Sequence, residues 1–537
     1  MASDNPPQPD LLSNALASAS SLVLLQFFSR VFTFILNQAL VRYVSPQVFG
    51  TAAIQFELLL STILFLSREG VRNALLRSSA SSVARSSNKD SQSLVANITI
   101  LPTLLGIPAA ILIAFLYVAS TSASTASQPH FHLSVAIYAV AASLELLSEP
   151  LYIRAQNELR FNLRVRAEGI AVVMKTTVAF AVLVIGDAEW ALVAFALGQA
   201  AFGLAVLSTY LHAYGQGIGL WPKKITSEVH GNVSSKYFDP SLLSLSAAMT
   251  GQSVVKHFLT EGDKFLVSRL SPLADQGGYA VASNYGSLVA RMVFQPIEET
   301  SRVFFSKSLT DQKQDPAALR SAANVLLALL LLFTHLLLLL VTFGPPYLPL
   351  ALAIVLPPKY LHTSAPTILR TYIYYIPMMA FNGVLEAFFA SAAAPADLHR
   401  QSRWLFAFSL GFVAVAVGLA KGAELGDAGL VWANVVNLLC RALYAWRFAL
   451  RFFRERSGQS LVGWRTVVPP VPVLVVFACA AGATRWSERV FADVPLRLTH
   501  QVGHIATAVC CLAGCLLACF VFERRTFVQL FSSLRKR

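Results

Sequence analysis

The most chemically suggestive stretch of the sequence is "KHFLTEGDK", residues 256–264, which lies inside an otherwise apolar segment. It carries five ionisable side chains: Lys256, His257, Glu261, Asp263 and Lys264. A charge at the centre of a membrane helix costs about 2.5 to 3.5 kcal/mol on insertion scales, so such residues are functional candidates by default. Cations in this setting suit an anionic ligand such as phosphate, and neighbouring carboxylates would orient them.

Further cations occur inside other apolar segments, namely Arg30, Arg291 and Arg441. A guanidinium group can donate two parallel hydrogen bonds to the oxygens of one phosphate. With Lys256, these residues are therefore the candidate anion-binding set. Arg68 and Glu69 belong to a charged cluster, "SREGVRNALLR", at the end of the second apolar segment. For such end residues an interfacial position, with the cation reaching lipid headgroups, is an equally good interpretation.

A helix through residues 256–268 would separate its charges from its apolar side chains. At about 100° per residue the charged residues fall within roughly 160° of arc. Phe258, Phe265 and Leu266 lie on the other side, which predicts one lipid-compatible face and one polar face. An alternative is that Glu261 and Lys264, three positions apart, only neutralise each other as a structural pair.

The elements that carry these residues are predicted to be membrane-spanning helices. Of the 537 residues, 55% are hydrophobic and only 13% are charged, far from the composition of soluble domains. About 20 apolar residues cross a bilayer as a helix, and the sequence predicts about fourteen such spans. They are 15–43, 46–67, 93–119, 132–152, 165–186, 190–213, 241–269, 277–299, 321–343, 371–391, 403–421, 428–447, 466–484 and 499–522. The expected fold class is an all-α polytopic membrane protein.

The net charge of +14 is explained by membrane topology. When the loops are assigned alternately to two sides, most of the Lys and Arg fall on one side together with both termini. The positive-inside rule places that side in the cytosol. A nucleic-acid-binding surface is therefore not needed to explain the basic composition, and no nucleic-acid partner is expected.

An internal duplication is predicted from two aligned segments. Residues 26–46 and 252–272 share six identities without a gap, and "GDA" occurs at both 186–188 and 426–428. We expect two parallel six-helix lobes around a central cavity, followed by two further helices. The expected domains are the first lobe 1–213, a cytosolic linker 214–240, the second lobe 241–450, and the additional helices with a basic tail, 451–537.

Enzyme and metal motifs are missing from the sequence. It has no Walker A motif, no H-E-x-x-H and no G-x-S-x-G, so a transporter or lipid-handling protein is expected instead of an enzyme. The six cysteines fall in apolar spans without C-x-x-C spacing. For Cys511, Cys515 and Cys519, on one helix face, we expect a packing role. No metal, cofactor or catalytic residue is predicted.

Four segments resemble one known family. They are "SRVFTFILNQALVR", "FLSREGVRNALLR", "LYIRAQNELRFNLRVRAEG" and above all "FLTEGDKFLVS". They resemble the Rft-type dolichol-linked oligosaccharide translocation proteins of the endoplasmic reticulum, and the resemblance covers essentially the whole chain. That family is similar in fold to the bacterial peptidoglycan-precursor flippase and to multidrug-extrusion antiporters within one exporter superfamily.

The resemblance implies a role in protein N-glycosylation in the endoplasmic reticulum membrane. The implied substrate is a mannose- and N-acetylglucosamine-containing oligosaccharide on dolichyl pyrophosphate, moved from the cytosolic to the luminal leaflet. The pyrophosphate would then contact Arg30, Arg68, Lys256, Arg291 and Arg441, while Glu69, Glu261, Asp263 and Lys264 would orient these cations. The alternatives are a non-transporting accessory factor that binds or presents the same lipid, working with other enzymes of the pathway, and an ion-coupled multidrug exporter.

Overall fold

A computed structural model gives the architecture of most of the chain. It describes residues 35–36, 38–80, 94, 96–158, 160–215, 221–222, 224–229, 232–309, 316–458, 461–492 and 498–535. Contacts between Cα atoms divide the chain into two compact units, unit 1 (Met1–Gly277) and unit 2 (Gly278–Arg537). The prediction of an all-α membrane protein is confirmed, because ten helices in the described part are long and apolar enough to cross a bilayer.

Unit 1 is built from eleven helices and one hairpin within its described residues. The helices are α1 (Pro46–Gly50), α2 (Glu57–Leu64), α3 (Gly70–Ala80), α4 (Leu101–Ser120), α5 (Ala123–Ala126), α6 (Phe131–Leu147), α7 (Glu149–Asn157), α8 (Phe161–Ile185), α9 (Ala191–Tyr214), α10 (Pro240–Thr260) and α11 (Gly262–Leu270). The antiparallel strands β1 (Ile225–Val229) and β2 (Asn232–Lys236) form a hairpin within the predicted linker.

Unit 2 continues the helical pattern. Its helices are α12 (Leu273–Val289), whose first turns belong to unit 1, α13 (Gln295–Leu309), α14 (Pro316–Val355), α15 (Pro358–Leu361), α16 (Ala365–Ala392), α17 (Pro395–Val417), α18 (Gly426–Ser457), α19 (Val471–Ala492) and α20 (Leu498–Arg535). The predicted number of about fourteen spans includes 15–43, which lies largely outside the described residues, and it stays a prediction.

Each unit has its own apolar core. In unit 1, Phe56, Phe131 and Tyr138 are fully buried between α2, α4 and α6. In unit 2, Phe388 and Phe453 stack with ring centroids 5.2 Å apart inside a cluster from α13, α14, α16 and α18. Peripheral helices such as α17 and α20 expose most of their apolar side chains, as expected of helices that face lipid.

In the described part of the chain, three π-helical segments interrupt long helices, and a fourth, Gly418–Gly422, follows the end of α17. Thr51–Phe56 joins α1 to α2, Phe65–Glu69 joins α2 to α3, and Ala290–Phe294 joins α12 to α13. If the ungapped alignment of the two predicted repeats is continued, position 65 meets position 291, one residue after the start of the Ala290–Phe294 segment. A duplication would account for this match, because π-helical segments are rare and each affects only a few residues.

The helix that we expected to open the second lobe lies in unit 1. Its first half, α10, packs against α3, where a Cβ added to Gly70 would lie 2.6 Å from the Thr250 backbone. The glycine therefore allows the two backbones to approach closely, which is common between membrane helices. The unit division follows contact density, and the lobe boundaries at 213 and 241 remain predictions.

The proline-rich end of α14 depends on α19. Pro345 and Pro346 have no backbone N–H, so the carbonyls of Val341 and Thr342 lose their usual donors four residues on. Arg485 Nη2 donates to the Val341 carbonyl at 3.4 Å. Thr484 Oγ1 lies 3.3 Å from the Thr342 carbonyl and 2.9 Å from the Ala480 carbonyl of its own helix, so its single hydrogen is shared between them. The helix therefore continues past its predicted end at residue 343 and reaches Val355.

Candidate functional site

The principal cavity of unit 1 has polar and apolar walls. It has a volume of about 480 Å³ and lies between α2, the end of α4, and the α10–α11 segment. Leucine, isoleucine and phenylalanine form the apolar wall. The polar part of the lining comes mainly from Gln55, Tyr117, His257, Glu261 and Arg269. A cavity with apolar walls and a few polar groups is typical of sites for amphipathic small molecules.

Hydrogen bonds fix the side chains at one end of the cavity. Tyr117 Oη donates to Gln55 Oε1 at 2.8 Å. Gln55 Nε2 donates to Gln276 Oε1 at 2.8 Å, and Gln276 Nε2 donates to the Ser271 carbonyl at 3.0 Å. Because each amide is held by two partners, this polar end is already ordered before any ligand binds.

His257 connects α10 to α2 at the wall of the cavity. Its Nε2 lies 2.9 Å from Thr62 Oγ1, and its ring centroid is 4.9 Å from that of Phe65. The ring is buried, and Glu261 follows one turn later on the same wall. The sequence placed His257 on the polar face of the helix, and the structure confirms that it points inward.

The charged stretch is two helices and not one. α10 ends at Thr260, Glu261 has φ −98° and ψ 9°, and α11 begins at Gly262. The uninterrupted helix that underlies the 160° arc is therefore wrong at Glu261, although backbone hydrogen bonds from Glu261 N–H to His257 and from Phe265 N–H to Glu261 continue across this residue. Glu261 Oε2 lies 2.8 Å from Lys264 Nζ, so the pair that we considered as an alternative is present.

Asp263 has a local structural contact. Its Oδ1 accepts a hydrogen bond from the Lys264 backbone N–H at 2.8 Å, in the first turn of α11. A carboxylate in the first turn also interacts favourably with the helix dipole. Asp263 and Lys264 are not part of the cavity lining, whereas Glu261 is. Of the acidic residues predicted in this stretch, Glu261 is thus the one that a ligand in the cavity would meet.

A second group of charges lies where the helix of residues 46–80 meets α6 and α7. Arg68 Nη1 is 3.5 Å from Glu145 and 3.9 Å from Glu149. Arg72 pairs with Glu149 through two nitrogens, Nε and Nη2, the latter at 2.7 Å. Gln199 donates to Glu145 at 2.9 Å. We call these five residues the buried charge cluster.

The buried charge cluster is shielded from solvent to different degrees. The Glu149 side chain is 1% exposed and that of Glu145 is 7% exposed, whereas Arg68 keeps 25% of its surface accessible. The Arg72 guanidinium also lies 3.9 Å from the Tyr152 ring centroid. Both carboxylates are therefore compensated inside the protein, and Arg68 is held by them at some distance from the cavity lining.

Arg441 has an equivalent arrangement in unit 2. Its guanidinium on α18 contacts Glu386 on α16, with Nη2–Oε1 at 2.6 Å and Nε–Oε1 at 2.8 Å. Both side chains remain partly accessible, at 30% and 24%. Within α13, Glu298 similarly pairs with Arg302, one turn later, at 2.7 Å.

The remaining predicted site residues are only partly described. Arg30 lies outside the described residues. Lys256 and Arg291 lie on helical backbone, in α10 and in a π segment, but their side chains are outside the described part. Glu69, at the end of a π segment, accepts a hydrogen bond from Asn73 at 3.3 Å.

Sequence reasoning did not select several residues that the structure brings together. Gln55, Tyr117 and Arg269 at the cavity were not candidates, and neither was Glu149 in the buried charge cluster. One available signal was the spacing of Glu145 and Glu149, which places two carboxylates on neighbouring turns next to a cluster rich in arginine. Uncharged amides and phenols inside apolar segments gave no comparable signal.

Comparison with protein families identifies relatives over nearly the full length. The model of the family described as Rft protein matches residues 14–533. A Man(5)GlcNAc(2)-PP-dolichol translocation protein of Yarrowia lipolytica is 33% identical, covering 98% of this chain and 82% of that protein. The protein of the same name from Xenopus tropicalis is 30% identical and covers 96% of both chains.

Comparison with solved structures finds the same fold in two transporters. The lipid II flippase MurJ in an inward closed conformation has a TM-score of 0.56 at 15% identity, covering 94% of this chain and 99% of MurJ. An inward-facing multidrug resistance transporter of the MATE family has a TM-score of 0.52 at 13% identity, covering 80% of this chain and 96% of that one. At these identities the similarity shows a shared fold.

Proposed function

The chain belongs to the Rft protein family, and from that premise we propose that it is a glycolipid flippase of the endoplasmic reticulum membrane. Its substrate would be a Man(5)GlcNAc(2) oligosaccharide on dolichyl pyrophosphate, the lipid in the names of its relatives. Movement from the cytosolic to the luminal leaflet would occur by alternating access of two lobes, and the product would supply protein N-glycosylation.

The observation that carries this proposal is the cavity of unit 1 with its mixed lining. The apolar wall suits the first part of a prenyl chain, and Arg269 supplies a cation for an adjacent phosphate. Tyr117, Gln55 and Glu261 offer hydrogen-bonding groups of the kind that bind sugar hydroxyls. Together these groups match the prenyl, phosphate and sugar parts of such a lipid.

The size of the cavity limits what it can enclose. About 480 Å³ lies within the range of roughly 300 to 1,000 Å³ found for small-molecule sites. Seven sugars and a pyrophosphate exceed this volume, so the cavity would hold the pyrophosphate region and the first sugar. The outer mannoses would then stay in water.

The predicted topology places the cavity and the buried charge cluster in different halves of the membrane. On that topology α4 runs towards the lumen, so the cavity at its end belongs to the luminal half of unit 1. The buried charge cluster, at the other end of the helix of residues 46–80, belongs to the cytosolic half. Both termini would be cytosolic. The two halves of one unit would thus meet the headgroup at successive stages.

We assign the cation roles in this order. Arg269 is the phosphate ligand that the described structure supports best, because it lines the cavity. Arg30, Lys256 and Arg291 remain proposed phosphate ligands through their positions in apolar segments. Arg68 and Arg441 would bind phosphate after exchanging their carboxylate partners, Glu145 and Glu386, for it. Glu69, Glu261, Asp263 and Lys264 keep their proposed orienting roles.

A second candidate function is a non-transporting accessory factor for the same lipid. The pairing of Arg68 and Arg441 with carboxylates favours it, since paired cations hold helices together and are less available to a moving ligand. Such a protein would bind or present the lipid to other enzymes of the pathway and would not need alternating access.

Reconstitution separates the two functions. The full chain is placed in liposomes with Man(5)GlcNAc(2)-PP-dolichol, and crossing and binding are measured in parallel. Flipping predicts faster crossing than in protein-free liposomes, whereas binding without faster crossing would leave the accessory role. If the lipid neither binds nor crosses, both functions are rejected. Export of a cationic drug driven by an ion gradient would instead indicate the third alternative.

Substitution of Arg269 tests the site. Arg269→Ala removes a charge-assisted bond worth about 1.5 to 3 kcal/mol, so binding of the lipid should weaken by about 10- to 100-fold. Arg166→Ala is the matched control, because Arg166 is also an exposed arginine of unit 1 but lies away from the cavity. Equal binding by both variants would remove Arg269 from the site.

A further inference from the structure

Three metal-ligating side chains meet in unit 2, where α14 contacts α20. His335 on α14 and Cys519 and Glu523 on α20 place one ligand atom each within 4.8 Å of one another. His335 Nε2 is 2.7 Å from Glu523 Oε2. The side chains of His335 and Glu523 are 9% and 2% exposed, and Cys519 is half-buried. The sequence alone indicated no metal site here.

The orientation of the imidazole is fixed by its helix. His335 Nδ1 lies 2.8 Å from the Leu331 carbonyl, which can only accept, so Nδ1 carries a proton. Nε2 is therefore the nitrogen that faces the carboxylate and the thiol. Histidine ligands of metals are commonly held in this way, with one nitrogen donating to a backbone carbonyl and the other directed at the ion.

The carboxylate needs a positive partner. Glu523 is almost fully buried in an apolar helix pair, where an uncompensated charge is costly. A proton shared with His335 can neutralise it, and so can a cation bound at the same place. The thiol of Cys519 favours a bound cation over a shared proton. A sulfur atom does not stabilise the shared proton, but it is a strong ligand for zinc.

The separations suit a tetrahedral ion after small side-chain rotations. With zinc bonds of 2.0 to 2.3 Å, neighbouring ligand atoms lie roughly 3.3 to 3.6 Å apart. The nitrogen–oxygen pair would widen by about 0.6 Å, and the farthest pair would close by at most about 1.3 Å. We propose that His335, Cys519 and Glu523 form a zinc site, with water as the fourth ligand.

The site would have a structural role. α20 has an exposed apolar face, and its neighbours are mainly α19 and, to a smaller extent, α14. A zinc ion held by one ligand from α14 and two from α20 would tie this peripheral helix directly to the helix bundle. Spacing of four residues between Cys519 and Glu523 places both ligands on one face of α20, as such a tie requires.

Metal titration of the purified full chain tests the proposal. The protein is stripped with a chelator, and Zn²⁺ alone is added while binding and the thermal midpoint in detergent are followed. We expect one equivalent of Zn²⁺ and a rise in the midpoint. Co²⁺ alone should give a sulfur-to-metal charge-transfer band, which reports the thiolate. Absence of stoichiometric binding, or of the band, would overturn the proposal and leave a proton-sharing pair.

Conservative variants keep the result interpretable. Cys519→Ser and Glu523→Gln retain the size of each side chain, and both should lose the stoichiometric Zn²⁺ and the metal-dependent midpoint shift. Cys510→Ser is the control, because Cys510 is exposed and belongs to the same cysteine-rich helix. A Cys519→Ser protein that folds and still binds one Zn²⁺ with a full midpoint shift would contradict the assignment.

Discussion

Removing the charge of Glu149 should destabilise unit 1 strongly. Glu149 accepts hydrogen bonds from two nitrogens of Arg72 and lies 3.9 Å from Arg68. Only 1% of its side chain is exposed. Removing one partner of a buried ion pair typically costs about 3 to 5 kcal/mol, because the other charge stays buried without compensation. Glu149→Gln retains one acceptor oxygen for Arg72, and the two arginines keep some contact with water. We therefore expect a loss of about 3 kcal/mol, at the lower end of that range.

The control for this prediction is Glu168→Gln. Glu168 also forms a pair with an arginine in unit 1, since Arg164 Nε lies 2.9 Å from its Oε1. Both of those side chains are about half exposed, at 47% and 52%. Exposed pairs contribute about 0.2 to 1 kcal/mol, so this variant should differ little from the unchanged protein.

The measurement is the thermal midpoint of each variant in detergent. The midpoint is the temperature at which half of the protein is no longer monodisperse. The Glu149→Gln midpoint should fall clearly below that of Glu168→Gln. Equal midpoints would refute the reasoning, because they would mean that the buried charge cluster does not hold α7 against the helix of residues 46–80. Arg72→Lys should give an intermediate result, since lysine keeps the charge but loses the paired nitrogens.

Two further predictions concern helix packing. Gly70→Ala would place a Cβ 2.6 Å from the Thr250 backbone, so α3 and α10 must separate at a cost of about 1 to 3 kcal/mol, whereas Gly169→Ala, with no atom within 4 Å, should be neutral in the same midpoint assay. Thr484→Val removes a hydroxyl hydrogen that is shared between a proline-freed carbonyl of α14 and the Ala480 carbonyl, so it should cost about 0.5 to 1.5 kcal/mol. Thr507→Val, whose hydroxyl bonds only within its own helix, should cost less, and an equal loss in both variants would exclude this explanation.

The helices were predictable because lipid requires long apolar runs, and these are visible in the sequence. Span 428–447 lies within Gly426–Ser457, and span 165–186 lies within Phe161–Ile185 except for its own last residue. The inward face of His257 was also predictable, since periodicity separates polar from apolar positions. Periodicity predicts the face of a helix on which a residue lies.

The partners of the charged residues could not be predicted in the same way. Arg68 with Glu145, and Arg441 with Glu386, depend on which helices are neighbours, and apolar composition does not specify this. The break at Glu261 is a backbone event at one residue and leaves the surrounding composition unchanged. The sequence therefore supplied charged candidates, and the structure was needed to show that Glu261 lines the cavity together with Gln55, Tyr117 and Arg269, which the sequence did not indicate.

The dependence of α14 on α19 has a consequence for synthesis of the protein. The two carbonyls freed by Pro345 and Pro346 leave the ribosome long before Thr484 and Arg485 exist. In hydrocarbon they need another donor during that interval, such as water at the insertion machinery or a chaperone side chain. Insertion of this region is therefore complete only after the C-terminal helices arrive, and chains that end before α19 should be retained and degraded as unfinished membrane proteins.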